Sequence, residues 1–236
     1  MGTPNSSTDF YDQFAPHYRK YAQSRGKYND SVDEAVLDSM SGYDMFDVGS
    51  GDGIRASGIA ARVGARYLLL TEPSSEMHKL CIETGHDSRM VAAEDLDHLE
   101  GSFGTITCLW NVLGHVDRKS RCKALSSMGR LLKPRGQIYI DVNNRYNIRA
   151  YGLGTVVSNV AKDMLAPSED NGDVNLEMKL NGHILRGMGH VFNPWEMEIL
   201  IRRAGLRVAR KLFLDYETGE MRATPAEGQL FFQLRR

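Results

Sequence analysis

The segment Phe46-Asp47-Val48-Gly49-Ser50-Gly51-Asp52-Gly53 carries the densest chemistry of the chain. A short apolar run ends beside an acid, and alternating glycines follow. Glycine has no Cβ and tolerates positive φ, so such a strand-to-turn junction lets backbone approach a ligand closely. The carboxylates select the ligand. A loop that cradles a pyrophosphate should avoid acids, whereas Asp47 before the glycines and Asp52 among them suit a ligand that carries positive charge. The third-glycine spacing of G-x-G-x-x-G is also missing, which counts against a nicotinamide dinucleotide.

Other residues of this kind fall where apolar runs end. Glu72, in Thr71-Glu72-Pro73, lies ~20 residues past the glycines, the distance at which an acid accepts hydrogen bonds from ribose hydroxyls. Glu94 and Asp95, in Ala92-Ala93-Glu94-Asp95-Leu96, suit an adenine amino group, and a plain surface turn explains them about as well. Leu109-Trp110-Asn111-Val112-Leu113-Gly114-His115 puts an indole and an amide at a strand tip, where they can wall and hydrogen-bond a substrate. Core filling by Trp110 is the competing reading. His115 is a candidate general base because imidazole titrates near neutrality, although a lone histidine is more often structural. Asn144, Arg145 and Tyr146 cluster after the next apolar run, and Arg145 can pair with a substrate carboxylate or be a surface arginine. Tyr11, Tyr18, Tyr21 and Tyr28 suit a lid, with Tyr18 beside the acceptor and Arg25 near a ligand carboxylate. Ordinary packing accounts for most of that stripe. No histidine or cysteine spacing suggests a metal.

The elements that must hold these residues follow from periodicity. Phe10, Phe14, Tyr18 and Tyr21 share a helical face between Asp9 and Met40, with a kink or restart expected at Pro16. A second helix is expected through Val32, Val36 and Leu37, capped within Asn29–Ser31. Strands are expected at Asp44–Val48, Tyr67–Thr71, Arg89–Ala92, Phe103–Trp110 and Gln137–Val142. Helices alternate with them at Ile54–Val63, Ser74–Glu83 and a segment capped by Asp117 and stopped at Lys133-Pro134-Arg135-Gly136. Such alternation predicts a parallel sheet covered on both faces. Positions 143–190 read as an insertion with a loop or short helix and two strands, Val174–Leu180 and His183–Met188. A helix from Pro194 to Gly205 and strands Leu206–Leu214 and Gln229–Leu234 close the chain.

The 236 residues suffice for one domain with a full core. A net charge of −1 with scattered basic residues argues against nucleic acid as the main partner. Cys81, Cys108 and Cys122 form no CxxC pair and read as reduced thiols of a cytoplasmic protein. No apolar run reaches the ~20 residues of a membrane span, and Met1–Thr8 lacks the pattern of a signal peptide.

Together, FDVGSGDG (46–53), TEPSSEM (71–77), AAEDL (92–96), TCLWNVLGHV (107–116) and LLKPRGQIYIDVNNRY (131–146) resemble a class I S-adenosylmethionine-dependent methyltransferase. The resemblance runs from about Asp9 to Arg236. It implies a Rossmann-like α/β fold: a mostly parallel seven-stranded sheet with helices on both faces and an antiparallel last strand. Its parts would be an N-terminal helical cap (1–42), a cofactor-binding core (43–142), a substrate-side insertion (143–190) and a C-terminal helix and hairpin (191–236). It implies S-adenosyl-L-methionine held by Asp47, Gly49, Ser50, Gly51, Glu72, Met77, Ala93, Glu94 or Asp95, Leu109 and Trp110. A narrower likeness, to the glycine N-methyltransferase group, places Asn111 toward the substrate and Arg25 on the cofactor carboxylate. The chain departs from that group at Trp110, where the group has glycine. The expected acceptor is a small molecule, with an amine favoured because an amine needs no strong base. The alternatives are O-methylation, with His115 as base, or a cofactor-binding module without turnover. Self-association through the cap or insertion is a further expectation.

Overall fold

The computed structural model describes residues 6–40, 44–180 and 183–236. Helices α1 (Ser7–Ser24) and α2 (Gly26–Leu37) precede strand β1 (Asp44–Val48). Then come α3 (Ile54–Val63), β2 (Tyr67–Thr71), α4 (Ser75–Glu83), β3 (Asp87–Arg89), β4 (Phe103–Cys108), α5 (Arg121–Leu131) and β5 (Leu132–Val142). After α6 (Ile148–Tyr151) and α7 (Leu153–Leu165), strands β6 (Asp173–Leu180) and β7 (His183–His190) form a separate antiparallel hairpin. The chain ends with α8 (Pro194–Arg203), β8 (Arg207–Leu214), β9 (Met221–Arg222) and β10 (Gln229–Arg235).

The main sheet runs β3-β2-β1-β4-β5-β10-β8-β9. Strands β1 to β5 are parallel, and β10 is antiparallel to both β5 and β8. This is the Rossmann-like fold expected from the sequence, with the two-residue β9 added beside β8. Successive side chains of a strand point to opposite faces, and here both faces are apolar. Phe46, Leu69, Ile106 and Ile140 pack under α5 and α8, on Leu125, Met128, Met197 and Ile201. Met45, Leu68, Leu70 and Tyr139 pack under α2 and α3, on Val32, Val36, Ala56 and Ile59.

Several local expectations shift. Pro16 lies inside an unbroken α1, and the break comes at Arg25 (φ −109°, ψ 18°). Burial of Phe10 and Phe14 before that break, and of Tyr28 and Val32 after it, outweighs the ~3 kcal/mol penalty of an interior proline. Asn29–Ser31 therefore sit within α2 and do not cap it. Strand β3 starts earlier than expected, set by its register on Leu69–Thr71. Asp117 caps only the turn before α5, through the N–H of Lys119 (3.0 Å). Where the sequence allowed a loop or short helix, α7 is a 13-residue helix; Gly152 and Gly154 look like punctuation, and only Val156 of its apolar stripe is buried.

Candidate active site

The glycine turn is built as its composition demands. Gly49, Gly51 and Gly53 have φ of 69°, 61° and 72°. A Cβ at Gly49 would lie 2.5 Å from the Val112 side chain, and one at Gly51 would collide with the Tyr18 hydroxyl. Two acids brace the turn. Glu72 accepts from the N–H groups of Gly51 (2.9 Å) and Ser74 (3.0 Å). Asp47 accepts from the Thr107 hydroxyl (2.5 Å). Burial raises both carboxyls, Glu72 to about 7 and Asp47 to about 6, against the backbone and hydroxyl donors that lower them.

Between the turn and Tyr18 lies a narrow cleft of about 20 Å³, also lined by Asp47, Ser50, Leu109 and Arg55. That is room for about one water. Arg55 was not anticipated from sequence. Its Nε pairs with Asp33 (2.7 Å), while its Nη1 is buried without a hydrogen-bond partner among the described residues. Its only sequence signal is its place at the start of the helix after the turn. Arg25 does not line this cleft.

Beside the cleft, under α1, is a chamber of about 230 Å³. Phe10, Tyr11, Phe14, Tyr18 and Tyr21 roof it, and Trp110, Asn111, His115 and Asn143 come from the tips of β4 and β5. Trp110 stacks on Tyr21 (5.6 Å, 17°) and donates to the Tyr216 hydroxyl (3.2 Å). Trp110 and Asn111 both have φ of 62°, a left-handed conformation that costs free energy outside glycine. Asp141 holds them there: its Oδ1 accepts from Trp110 N (2.6 Å) and its carbonyl from Asn111 N (3.1 Å). Tyr28 donates to its other carboxylate oxygen (2.7 Å). Asp141, missed as a site residue, is thus the post behind the strand tip.

Asn111 faces the chamber, but its amide is engaged by backbone at both ends. Oδ1 accepts from Asn143 N (2.9 Å) and Nδ2 donates to the His190 carbonyl (3.2 Å). It fixes the wall. His115 is the basic atom in the chamber: Nε2 meets the Tyr11 hydroxyl at 3.1 Å, and burial lowers the imidazole to about 4, with the Met188 backbone partly offsetting this. The ring is neutral at pH 7, with a lone pair available to accept a hydrogen bond, and its lowered pKa makes it a weaker base than an ordinary histidine.

Three expected substrate contacts lie elsewhere. Asn144 is fully buried and donates to the carbonyls of Pro225 (2.6 Å) and Gly228 (2.8 Å). Arg145 is 3% exposed and pairs with Asp163 (2.9 Å) and Glu196 (2.6 Å). Tyr146 donates to the same Asp163 (2.6 Å). These residues tie α7 and α8 to the end of β5, and the acids that claim Arg145 come from elements far along the chain. Glu196 also meets the buried His190 (2.8 Å), another residue the sequence reading passed over. Of the expected adenine contacts, Met77 and Ala93 are buried, Glu94 is half-buried and Asp95 is exposed.

Residues 45–136 match the family model described as a methyltransferase domain. A ubiquinone biosynthesis O-methyltransferase of Dechloromonas aromatica is 33% identical over 142 residues, 58% of this chain and 58% of that protein. One from Chromobacterium violaceum is 36% identical over 134 residues, 54% of this chain and 55% of that protein. The matched region thus spans a little over half the length of these curated relatives. Among solved structures, the CcbJ methyltransferase from Streptomyces caelestis superposes with a TM-score of 0.71, covering 98% of this chain and 99% of its own at 16% identity. S-adenosylmethionine-bound CalS10, an amino pentose methyltransferase from Micromonospora echinaspora, gives 0.62 over 93% and 96% at 15% identity. Positions 45–136 thus match a methyltransferase domain, and the fold of nearly the whole chain is that of these solved methyltransferases. The narrower likeness to glycine N-methyltransferases is not what the relatives' names carry.

The residues of the cleft fit S-adenosylmethionine in kind. Close-approach glycines and Asp47 in the cleft, Glu72 bracing the turn beside it, and Arg55 Nη1, without a partner among the described residues, match a ligand with cationic sulfur, ribose hydroxyls and a carboxylate. They fit it in space only once Tyr18 swings off Gly51. A pH dependence follows. Glu72, raised to about 7, is largely protonated at pH 6 and largely ionised at pH 8. Ribose hydroxyls and a cationic ligand both favour the carboxylate, so affinity for S-adenosylmethionine should rise with pH across that window and level off above it. Calorimetry on Glu72→Gln should show affinity lower by about tenfold at pH 8, the loss of one charge-assisted hydrogen bond, and a flattened pH profile. An unchanged profile would remove Glu72 from the site.

Proposed function

We propose that this chain transfers the methyl group of S-adenosyl-L-methionine to a hydroxyl of a small, planar acceptor held in the chamber under α1. The carrying observation is His115, a neutral, half-buried imidazole beside the left-handed Trp110-Asn111 turn. A hydroxyl needs a base to take its proton, and an amine needs only to be unprotonated. The curated relatives' names, O-methyltransferases of ubiquinone biosynthesis, point the same way. The amine favoured on sequence grounds gives way because the curated relatives are named O-methyltransferases and His115 stands within the chamber.

When bound, the cofactor supplies an electrophilic methyl on a positively charged sulfur. The chain supplies the rest. Tyr18, Tyr21 and Trp110 wall the acceptor and exclude water, Asp141 fixes the wall, and His115 receives the hydroxyl proton in place of the Tyr11 hydrogen bond. Alignment of this kind is worth ~7–11 kcal/mol in well-oriented systems. Release of S-adenosylhomocysteine, measured across hydroxyl and amine acceptors of the same skeleton, tests the reading. The hydroxyl member of each pair should be the better substrate by about tenfold or more in kcat/KM, within the effect expected of a positioned base. Consistent preference for the amine would overturn it.

A further inference from the structure

Strand β7 carries two glycines, Gly187 and Gly189, on one face. Residues two apart share a face of a strand, and cross-strand partners share it too. Register therefore groups Met178 with Leu185, Leu176 with Gly187 and Val174 with Gly189. Val174, Leu176 and Met178 line the chamber under α1, and so does Gly189. A glycine inside a strand weakens it and has no side chain to pack, so each of the two needs a reason. Gly187 has its reason in α1: a Cβ there would lie 2.8 Å from the Phe10 ring.

The fold gives Gly189 no such reason. Its φ lies outside the left-handed region, so its backbone conformation is open to any residue. The atoms nearest to a Cβ there would be Leu176 Cδ1 at 3.1 Å, Leu176 Cγ at 3.5 Å and His115 Cε1 at 3.8 Å. The tightest of these contacts is with the free end of a leucine, which can give by a few tenths of an ångström. A methyl group therefore fits, and the branches of a larger side chain would enter the chamber beside the imidazole. The residues on either side are committed to the same wall. The Met188 backbone acts on His115, and the His190 carbonyl accepts from Asn111 Nδ2 (3.2 Å). What the missing side chain keeps open is thus room next to His115.

We propose that Gly189 is a specificity-determining residue, whose bare backbone leaves the room in which the flat ring of the acceptor lies beside His115. The inference rests on the chamber being the acceptor site and deepens that reading. It makes β7 the surface on which the ring packs, and position 189 the point that sets how wide the ring can be.

The test is calorimetric, on the full chain saturated with S-adenosylhomocysteine. Its probes are catechol, with one ring, and 2,3-dihydroxynaphthalene, with two. Wild type should bind both, the two-ring probe at least as tightly. Gly189→Val should weaken the two-ring probe by about tenfold or more and the one-ring probe by less than about threefold, the discrimination an apolar pocket supplies by size. Valine suits a strand better than glycine, so the backbone does not oppose this variant. Gly189→Ala, the milder change, should weaken the two-ring probe selectively by about threefold, with S-adenosylhomocysteine affinity within about twofold of wild type. It decides the matter if the valine variant does not fold. Leu176→Ala in the Gly189→Val background should restore part of the two-ring affinity by freeing space on the same face, a rescue that a merely structural defect would not show. Equal effects on the two probes, absence of that rescue, or binding of neither probe by wild type overturns the assignment. So does a loss of S-adenosylhomocysteine affinity of about tenfold in Gly189→Ala, which would make the glycine a support of the fold. Turnover is scored apart. If neither probe is methylated while the size contrast holds, the methyl-transfer reading fails and the role of Gly189 stands; if both are methylated with no size contrast, the reverse holds.

Discussion

His115→Ala will lower kcat toward a hydroxyl acceptor by about 10²–10⁴-fold, the range contributed by a positioned general base. Affinity for S-adenosylmethionine should stay within about twofold, because His115 faces the chamber and not the cleft. The wild-type pH profile carries a second signature. The imidazole is lowered to about 4 by burial, so it is already unprotonated across the neutral range. At saturating cofactor, kcat should therefore hold on the acid side and fall only as pH drops toward about 4. An amine acceptor would behave otherwise, losing rate as pH falls through its own pKa whatever stands at position 115. Single-turnover rates at several pH values separate the two. A loss of less than tenfold in His115→Ala would leave the histidine a wall residue. The same lowered pKa also affects stability. The unfolded chain takes up this proton near pH 6.5 and the folded chain only near 4, so stability drains away as pH falls between those values.

Arg145→Met should destabilise the fold by about 3–5 kcal/mol, the usual cost of removing one partner from a buried ion pair. The variant strands Asp163 and Glu196 with no cation of their own on that side. Asp163 is held down to about 2 by Arg145, Tyr146, Asn171 and Asn193, against the desolvation that raises it. Its contribution is present above the ordinary aspartate range and is lost as pH falls toward 2, and without Arg145 that loss should begin at higher pH. Urea unfolding at pH 7 and pH 4 measures both effects. Catalytic constants of the folded fraction should be unchanged. A fall in kcat/KM with stability intact would return Arg145 to the acceptor site, where the sequence reading had placed it.

What the sequence made legible is what is encoded locally. The glycine turn, Glu72 and the strands around them follow from spacing within about thirty residues, and steric rules leave few other conformations. His115 was visible as a residue but not as a base, because its environment is made by Tyr11 and by Met188 of β7. Arg145 was misplaced for the same reason: its partners lie 18 and 51 positions away, on helices whose orientation the local pattern does not fix. Arg55 was invisible because nothing in a helix-start arginine tells that it will line the cleft with one nitrogen buried and without a partner among the described residues. Helix α7 was legible only as a loop or short helix because Gly152 and Gly154 mask the apolar stripe Leu153, Val156, Val157, Val160 and Met164, most of which stays exposed.

Helix α1 serves as ceiling to two rooms at once. Tyr18 closes the smaller over Gly51, and Tyr11 closes the larger over His115. The helix is bolted down by Asp12, whose carboxylate accepts from Ser74 (2.6 Å) and from the N–H of Glu76 (3.0 Å) at the start of α4. The two spaces are consequently coupled through one helix. Tyr18 lines both spaces, so a displacement of that one side chain alters the two together. Asp12 shares its grip with the Tyr11–His115 and Arg19–Asp52 contacts, so what holds the helix down is spread along its length.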